Sequence, residues 1–375
     1  MPPSKTTKKS AWSLRTLSVV GVLALSLLVV IPVGAAFLTF VTYYQDGGTG
    51  GNFLDNIINI VVSPDGKHVY AAAVADDAIT AFSRDSASGE LTVIESYVDG
   101  AGVVDGLNGV IDVAISPDGA HVYTVSLIDD ALAVFSRDSA TGELTFVEVH
   151  TDSDAGINGL DTAYAVTLSP DGKHVYVASV NDASVALFSR DSGTGALTFV
   201  AAYVDFGTLI GASDVAVSPD GKHVYATSES SRLNVYTRNS SSGELTFVTS
   251  YRDGVGGVDG LNNAETIAIS PDGNFVYIAA LLDDSVAFFQ RDSSTGELSY
   301  IDLVRDGVNG VDNLDQAHGL VITSSGEYLF VTAWNDNALS VFARDSVSGE
   351  LSLVEDFVDG VDGVDGLRSA AWLAL

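Results

Sequence analysis

The chain has 375 residues, 46% of them hydrophobic, with 37 glycines, one methionine and no cysteine. That composition favours strands joined by tight turns and removes disulfides, thiolate metal sites and cysteine nucleophiles from consideration. Forty-nine acidic residues against 17 basic ones give a net charge of −32, which disfavours nucleic acid and anionic lipid as partners.

Residues 1–16 hold Lys5, Lys8, Lys9 and Arg15 and no acid. An apolar run from Leu17 to Val33 follows, then the small residues Gly34, Ala35 and Ala36. This is the order of a secretory signal peptide, so residues 1–36 are expected to direct export. The alternative is an uncleaved membrane anchor, since a run continuing to Val41 is long enough to span a bilayer. Export is favoured because Leu38–Tyr44 repeats the pattern of Leu245–Tyr251, a strand inside the folded region. Residues 37–375 are therefore assigned to one domain, periplasmic, in the cell envelope or secreted.

From there self-similarity dominates. The turn Ser-Pro-Asp-Gly begins at Ser63, Ser116, Ser169, Ser218 and Ser270, with a worn copy at Thr323, at spacings of 53, 53, 49, 52 and 53 residues. Arg-Asp-Ser follows in step at Arg84, Arg137, Arg190, Arg291 and Arg344, with Arg238-Asn-Ser as the variant. Within a unit the apolar residues fall into four short runs separated by turn residues, as in Val110–Ile115, His121–Ser126, Ala131–Ser136 and Leu144–Val149. Four antiparallel strands repeated at this period describe the blade of an all-β propeller.

Inner-strand patterns occur seven times, the last ending at Leu375, and outer-strand patterns seven times, the first starting at Leu38; the two middle strands occur six times. Seven blade positions are expected, six full units plus a partial blade built from the two termini. A truncated chain, or six blades with spare strands outside the ring, are the other arrangements this pattern allows.

The run Ser63-Pro-Asp-Gly-Lys-His-Val-Tyr70, with Ala133-Val-Phe-Ser-Arg-Asp138 and Thr141-Gly-Glu-Leu-Thr145, resembles the lactonase-type seven-bladed propellers, the 6-phosphogluconolactonase-like and Tyr-Val-Thr-Asn repeat proteins. The resemblance covers residues 38–375. It implies the fold and a small-molecule site near the central channel, and its motifs are structural turns rather than chemistry.

Residues repeated in every unit are explained by the unit. His68, His121, His174 and His223 are therefore assigned to structure. The informative positions are those where units differ. Five residues before each turn serine stand Ile58, Ile111, Tyr164, Ser213, Glu265 and His318, with Ala371 in the last partial unit; next come Asn59, Asp112, Ala165, Asp214, Thr266, Gly319 and Trp372. Asn59, Tyr164, Ser213, Thr266 and Trp372 are expected to line the channel. Glu265 and His318 are the candidate base for lactone hydrolysis, with Asp112 or Asp214 orienting water. Neither ring holds an arginine; Arg252, Arg305 and Arg368 lie in neighbouring loops. Carboxylates also recur between glycines at Asp99 and Asp105, Asp253 and Asp259, and Asp306 and Asp312, a donor set suited to calcium or to solvated turns. They share a face with the doublets at Asp76, Asp129 and Asp283, which argues against a phosphorylated sugar.

Three readings follow. The first is an exported acidic propeller that binds a small carbohydrate-like ligand or an envelope protein. The second is a hydrolase opening an unphosphorylated sugar lactone at the channel. The third is a calcium-stabilised structural protein of the envelope. A monomer is expected, with no required cofactor and calcium as an optional ligand.

Overall fold

The computed structural model describes residues 22–23, 43–45, 53–369 and 373–374. Of the segment 1–36, only the backbone of Val22 and Leu23 falls within these, so the leader or anchor assignment lies outside the described residues. Strand β1 (Val22–Leu23) pairs antiparallel with β2 (Tyr44–Gln45).

The short apolar runs, cut by turns that a Gly with positive φ closes, fold as successive up-and-down meanders. Blade 1 comprises β3 (Ile57–Val62), β4 (His68–Ala73), β5 (Ala78–Arg84) and β6 (Leu91–Val98); blade 2 comprises β7 (Val110–Ile115), β8 (His121–Ser126), β9 (Ala131–Arg137) and β10 (Leu144–Thr151). Blade 3 holds β11 (Ala163–Leu168), β12 (His174–Ser179), β13 (Ser184–Arg190) and β14 (Leu197–Val204); blade 4 holds β15 (Ala212–Val217), β16 (His223–Ser228), β17 (Arg232–Arg238) and β18 (Leu245–Arg252). Blade 5 contains β19 (Ala264–Ile269), β20 (Phe275–Ala280), β21 (Ser285–Arg291) and β22 (Leu298–Arg305); blade 6 contains β23 (Ala317–Ile322), β24 (Tyr328–Ala333), β25 (Ala338–Arg344) and β26 (Leu351–Val358). All six are four-stranded and antiparallel in chain order. The inner strands β3, β7, β11, β15, β19 and β23 neighbour one another in sequence around the axis.

The core lies between blades. Tyr70 and Ile79 of blade 1 share a cluster with Val110, Val122 and Phe135 of blade 2, and equivalent clusters recur around the ring. Fully buried aromatics such as Tyr70, Tyr123, Tyr176, Phe135 and Phe188 each stabilise it by roughly 1.5–3 kcal/mol.

A polar clasp closes each of these interfaces on the face of the Ser-Pro-Asp-Gly turns. Arg137 of blade 2 donates to Tyr70 Oη at 2.9 Å, to the Gly119 carbonyl at 2.8 Å and to Asp65 at 3.1 Å, and lies 2.6 Å from His68 Nδ1. Tyr70 in turn donates to the Gly142 carbonyl at 2.9 Å. Arg190, Arg238 and Arg291 repeat this with the Asp, His and Tyr of the preceding blade. In blade 6, Arg344 pairs with Asp272 and Tyr277 and lies over the ring of Phe275, which stands where the other blades carry histidine. The repeated histidines are thus structural, buried beside a guanidinium.

Residues from both ends of the chain pack against blades 6 and 1. Tyr44 Oη accepts the Leu91 amide at 2.7 Å, as Tyr97 does from Leu144 and Tyr251 from Leu298, so Tyr44 sits against blade 1 as an outer-strand tyrosine sits against the next blade. Leu373 packs on the cluster of blade 6, and Ala374 on the cluster that holds Tyr44 and Leu54. Tyr44, Leu373 and Ala374 thus lie between blades 6 and 1; the strands expected for a partial blade, with Leu38–Val41 and Trp372, lie outside the described residues.

Candidate functional site

The positions at which the units differ coincide with a break in sheet geometry. Each inner strand loses register with its neighbour once, between Ile57 and Asn59, Val110 and Asp112, Ala163 and Ala165, Ala212 and Asp214, Ala264 and Thr266, and Ala317 and Leu320. The extra residue is in turn Ile58, Ile111, Tyr164, Ser213 and Glu265; in blade 6 the break contains His318 and Gly319. A bulge frees its residue from the ladder and re-aims its side chain. Six bulges around one axis therefore present a ring of side chains at the channel.

That ring is polar on one side. Glu265 is 6% exposed, with Oε1 accepting from Asn263 Nδ2 at 3.1 Å and Oε2 without a hydrogen-bond partner among the described residues. Burial raises its carboxyl to about 7, with the charges of Glu229 and Asp214 adding to the shift. Ser213 donates to the Ala264 carbonyl at 2.6 Å and lies 3.1 Å from Thr227 Oγ1. Burial, and then the charges of Glu265, Glu229, Asp112 and Asp214, raise the Tyr164 phenol above its ordinary value, so these five groups share one electrostatic environment. His318 is buried, in the same register on β23 as Glu265 on β19, and its ring packs against Trp334 with centroids 5.5 Å apart and the planes tilted by 43°. Thr266 is buried and its hydroxyl has no partner among the described residues.

Asp112 and Asp214 hold the ring together. Asp112 accepts the Val113 amide at 2.7 Å and, across the blade boundary, the Val166 amide at 2.6 Å, and it also takes the Asn59 side-chain amide. Asp214 accepts the Val215 amide at 2.7 Å and the Ile267 amide of blade 5 at 2.8 Å. Burial pushes Asp112 up to about 6 against the pull of those amides, and Asp214 up to about 7, where the charge of Asp112 contributes. Asp214 is ringed by protein yet retains some contact with channel solvent, which is why it is only half-buried by surface. With amides on their oxygens, these two aspartates pin inner strands to one another. Asn59 is consumed in the same contact.

Ile58 packs on the inter-blade cluster that contains Ile111, and the ring of Tyr164 packs on the same cluster.

The Asp/Gly loops are braced from within. Asp99, Asp152, Asp253, Asp306 and Asp359 each accept the amide of a leucine eight residues on. Asp99, Asp105 and Asp129 bring three carboxylates within 4.8 Å, as do Asp253, Asp259 and Asp283. The second trio already faces a cation, because Arg305 lies 3.1 Å from Asp259 and 3.8 Å from Asp283. The position equivalent to Arg305 beside the first trio is Thr151. Asp306 and Asp312 gain no third acidic ligand among the described residues.

Two residues of the site escaped the sequence reading. Glu229 and Trp334 stand at the same point of their units, just after the second strand, where the others carry Val74, Leu127, Val180 and Leu281; each departure from the repeat was a usable signal.

A closed ring of four-stranded blades, with buried carboxyls at its axis and no lysine or arginine among the described ring residues, defines a propeller with an acidic channel site. The chain belongs to the family described as lactonase, 7-bladed beta-propeller, which matches residues 59–211, 113–258 and 209–365. A 6-phosphogluconolactonase of Pectobacterium carotovorum is 26% identical over 171 residues, 44% of this chain and 48% of that enzyme. A staphylococcal protein of unassigned function, from Staphylococcus saprophyticus, is 32% identical over 99 residues, 26% of this chain and 27% of its own. The chain thus spans half or less of the curated relatives it matches. Among solved structures, the periplasmic gluconolactonase of Pseudomonas aeruginosa superposes with a TM-score of 0.66 at 19% identity, covering 86% of this chain and 88% of that one. Hydrazine synthase of Kuenenia stuttgartiensis superposes with 0.62 at 17% identity over 88% and 93%. At such identities the superpositions establish the fold alone.

Proposed function

We propose that this protein hydrolyses an unphosphorylated sugar lactone at its channel, with Glu265 as the general base. The observation that carries this is Glu265 itself, a carboxyl buried on a bulge, raised to about 7 and with one oxygen uncommitted. Such a group is a carboxylate just above neutrality and basic enough to take a proton from water. The hydroxide equivalent adds to the lactone carbonyl, the ring C–O bond breaks, and the proton returns to the leaving alkoxide as the hydroxy acid forms. Tyr164, held neutral, supplies a hydrogen-bond donor for the carbonyl oxygen as it gains charge. His318, fixed against Trp334, contributes the other titratable side chain of this arc.

One relative supports the reaction type: the Pectobacterium protein is named as a 6-phosphogluconolactonase. The phosphate of that substrate has no cationic partner in this ring, and Asp112, Asp214, Glu229 and Glu265 oppose a dianion. Export directed by residues 1–36 belongs to the same proposal.

The test is hydrolysis of a panel of sugar lactones, with and without phosphate, by the protein and its Glu265→Gln variant. Turnover of neutral lactones that the variant loses by at least about 100-fold supports the reading; turnover indifferent to the substitution rejects Glu265. Binding without turnover by the wild type would favour a ligand-binding module. Calcium enters as a stabiliser at Asp99, Asp105 and Asp129, where no guanidinium intervenes. A rise in melting temperature with added calcium, abolished by Asp129→Asn, supports that role, and an unchanged melting temperature rejects it.

A further inference from the structure

The polar clasp ties each of blades 2 to 6 to the blade before it, and blade 1 carries the same arginine with different surroundings. Arg84 stands in its unit where Arg137 stands in blade 2, and it donates to the Gly66 carbonyl at 3.2 Å as Arg137 donates to Gly119. It makes no other side-chain hydrogen bond or ion pair among the described residues, and it is half-buried where the other clasp arginines are buried. The acceptors those arginines use belong to the preceding blade. They are an Asp of the turn and, five residues on, a Tyr of the second strand, as in Asp65 and Tyr70. That Tyr also donates to the glycine carbonyl of the next blade's hairpin loop, Gly142 for Tyr70; no hydroxyl reaches the equivalent Gly89 carbonyl among the described residues.

Two neighbours define what fits ahead of blade 1. On the outer side, Leu23 of β1 pairs with Tyr44 of β2 in the register in which Ile79 of the third strand β5 pairs with Tyr97 of β6. β1 therefore runs in the third lane, and the lane that no described residue fills is the second, which carries the clasp acceptors in blades 1 to 5. On the far side, blade 6 has Ser325 and Phe330 at the positions of Asp65 and Tyr70, so it offers neither carboxylate nor phenol to an arginine. We propose that this boundary docks an extended segment of a second polypeptide, which enters as a second strand and carries an Asp at its turn and a Tyr five residues on. Charge complementarity names the occupant: a half-buried guanidinium held by one carbonyl takes a carboxylate, and the clasps of blades 2 to 6 show the geometry. Backbone ladder bonds supply the affinity and the Asp and Tyr the specificity, as in other strand additions. The proposal is independent of the hydrolase reading.

The experiment measures, by calorimetry on the full chain, binding of a synthetic peptide with the sequence of residues 63–73, Ser-Pro-Asp-Gly-Lys-His-Val-Tyr-Ala-Ala-Ala. Saturable binding is expected. It should weaken about tenfold or more when the peptide carries Asp65→Asn or Tyr70→Phe, and again when the protein carries Arg84→Gln. Arg84→Gln gives up one carbonyl contact, so its melting temperature should match wild type, and the peptide variants leave the protein itself unchanged. No binding, or binding indifferent either to Arg84→Gln or to the two peptide substitutions, overturns the proposal.

Discussion

Arg137 of the second blade donates to Asp65 of the first at 3.1 Å, across 72 residues of chain. The guanidinium is 1% exposed and the carboxylate 32%. Burial works against the charge on Asp65, but the Ser63 hydroxyl, the Lys67 amide and Arg137 together hold its carboxyl down at about 2. The same four-way contact recurs at successive blade boundaries, so the ring is fastened by charges on one face and by apolar packing within.

Arg137→Ala removes donors to Tyr70, Gly119 and Asp65 and leaves His68 buried without its partner. The expected loss is on the order of 3–5 kcal/mol, read as a lower urea midpoint. A midpoint unchanged from wild type would show that the clasp contributes nothing net.

Gly142 has a φ of +80°, and a Cβ there would approach His68 Cδ2 to 2.3 Å. Gly142→Ala therefore combines an unfavourable backbone angle with a clash at the clasp. It should destabilise by more than about 1 kcal/mol, whereas Gly102→Ala, where a Cβ meets nothing within 4 Å, carries only the cost of its positive φ. Equal melting temperatures for the two variants would contradict the packing described.

Tyr44 tests how the ring closes. Tyr44→Phe strips the acceptor from the Leu91 amide while leaving the ring in place against Phe82. A loss of about 1 kcal/mol is expected, matched by Tyr97→Phe at the equivalent boundary. No change at Tyr44 alongside a clear loss at Tyr97 would mean that the seventh position bears no load.

The channel carboxyls impose their own pH dependence. Glu265 has its folded value raised to about 7 from 4.5, so the folded protein binds a proton more tightly than the unfolded chain. That contribution is fully present below about pH 4.5 and is lost as pH rises through about 7. Relative to wild type, Glu265→Gln should gain stability over this interval, by up to about 3 kcal/mol on the plateau. A difference that stays flat between pH 4 and 8 would show that Glu265 is not buried as described.

The sequence made the architecture readable because the period and the turn residues are local quantities. Ser63-Pro-Asp-Gly66 names its turn, and seven inner-strand patterns name the ring positions. The clasp was not readable, since nothing in the local sequence links Arg137 to Asp65. The ring of variable positions was visible at Glu265 and His318, but the bulge that turns Glu265 off the ladder depends on pairing with β20. The strand-pinning contacts of Asp112 and Asp214 were hidden for the same reason. Their partners, Val166 and Ile267, are backbone amides of the next blade. The Asp/Gly loops read as metal ligands, and the spacing from Asp99 to Leu107, repeated at Asp152, Asp253, Asp306 and Asp359, adds a loop brace that the local sequence does not announce.

The pH profile of lactone hydrolysis by wild type and Glu265→Gln tests the account most directly. For a neutral sugar lactone, kcat/KM should rise with pH and level off above about 7, following ionisation of Glu265, and the variant should lose both the rate and that inflection. Enzymatic hydrolysis that survives Glu265→Gln with its pH profile intact would contradict the assignment of the channel carboxyl as the base.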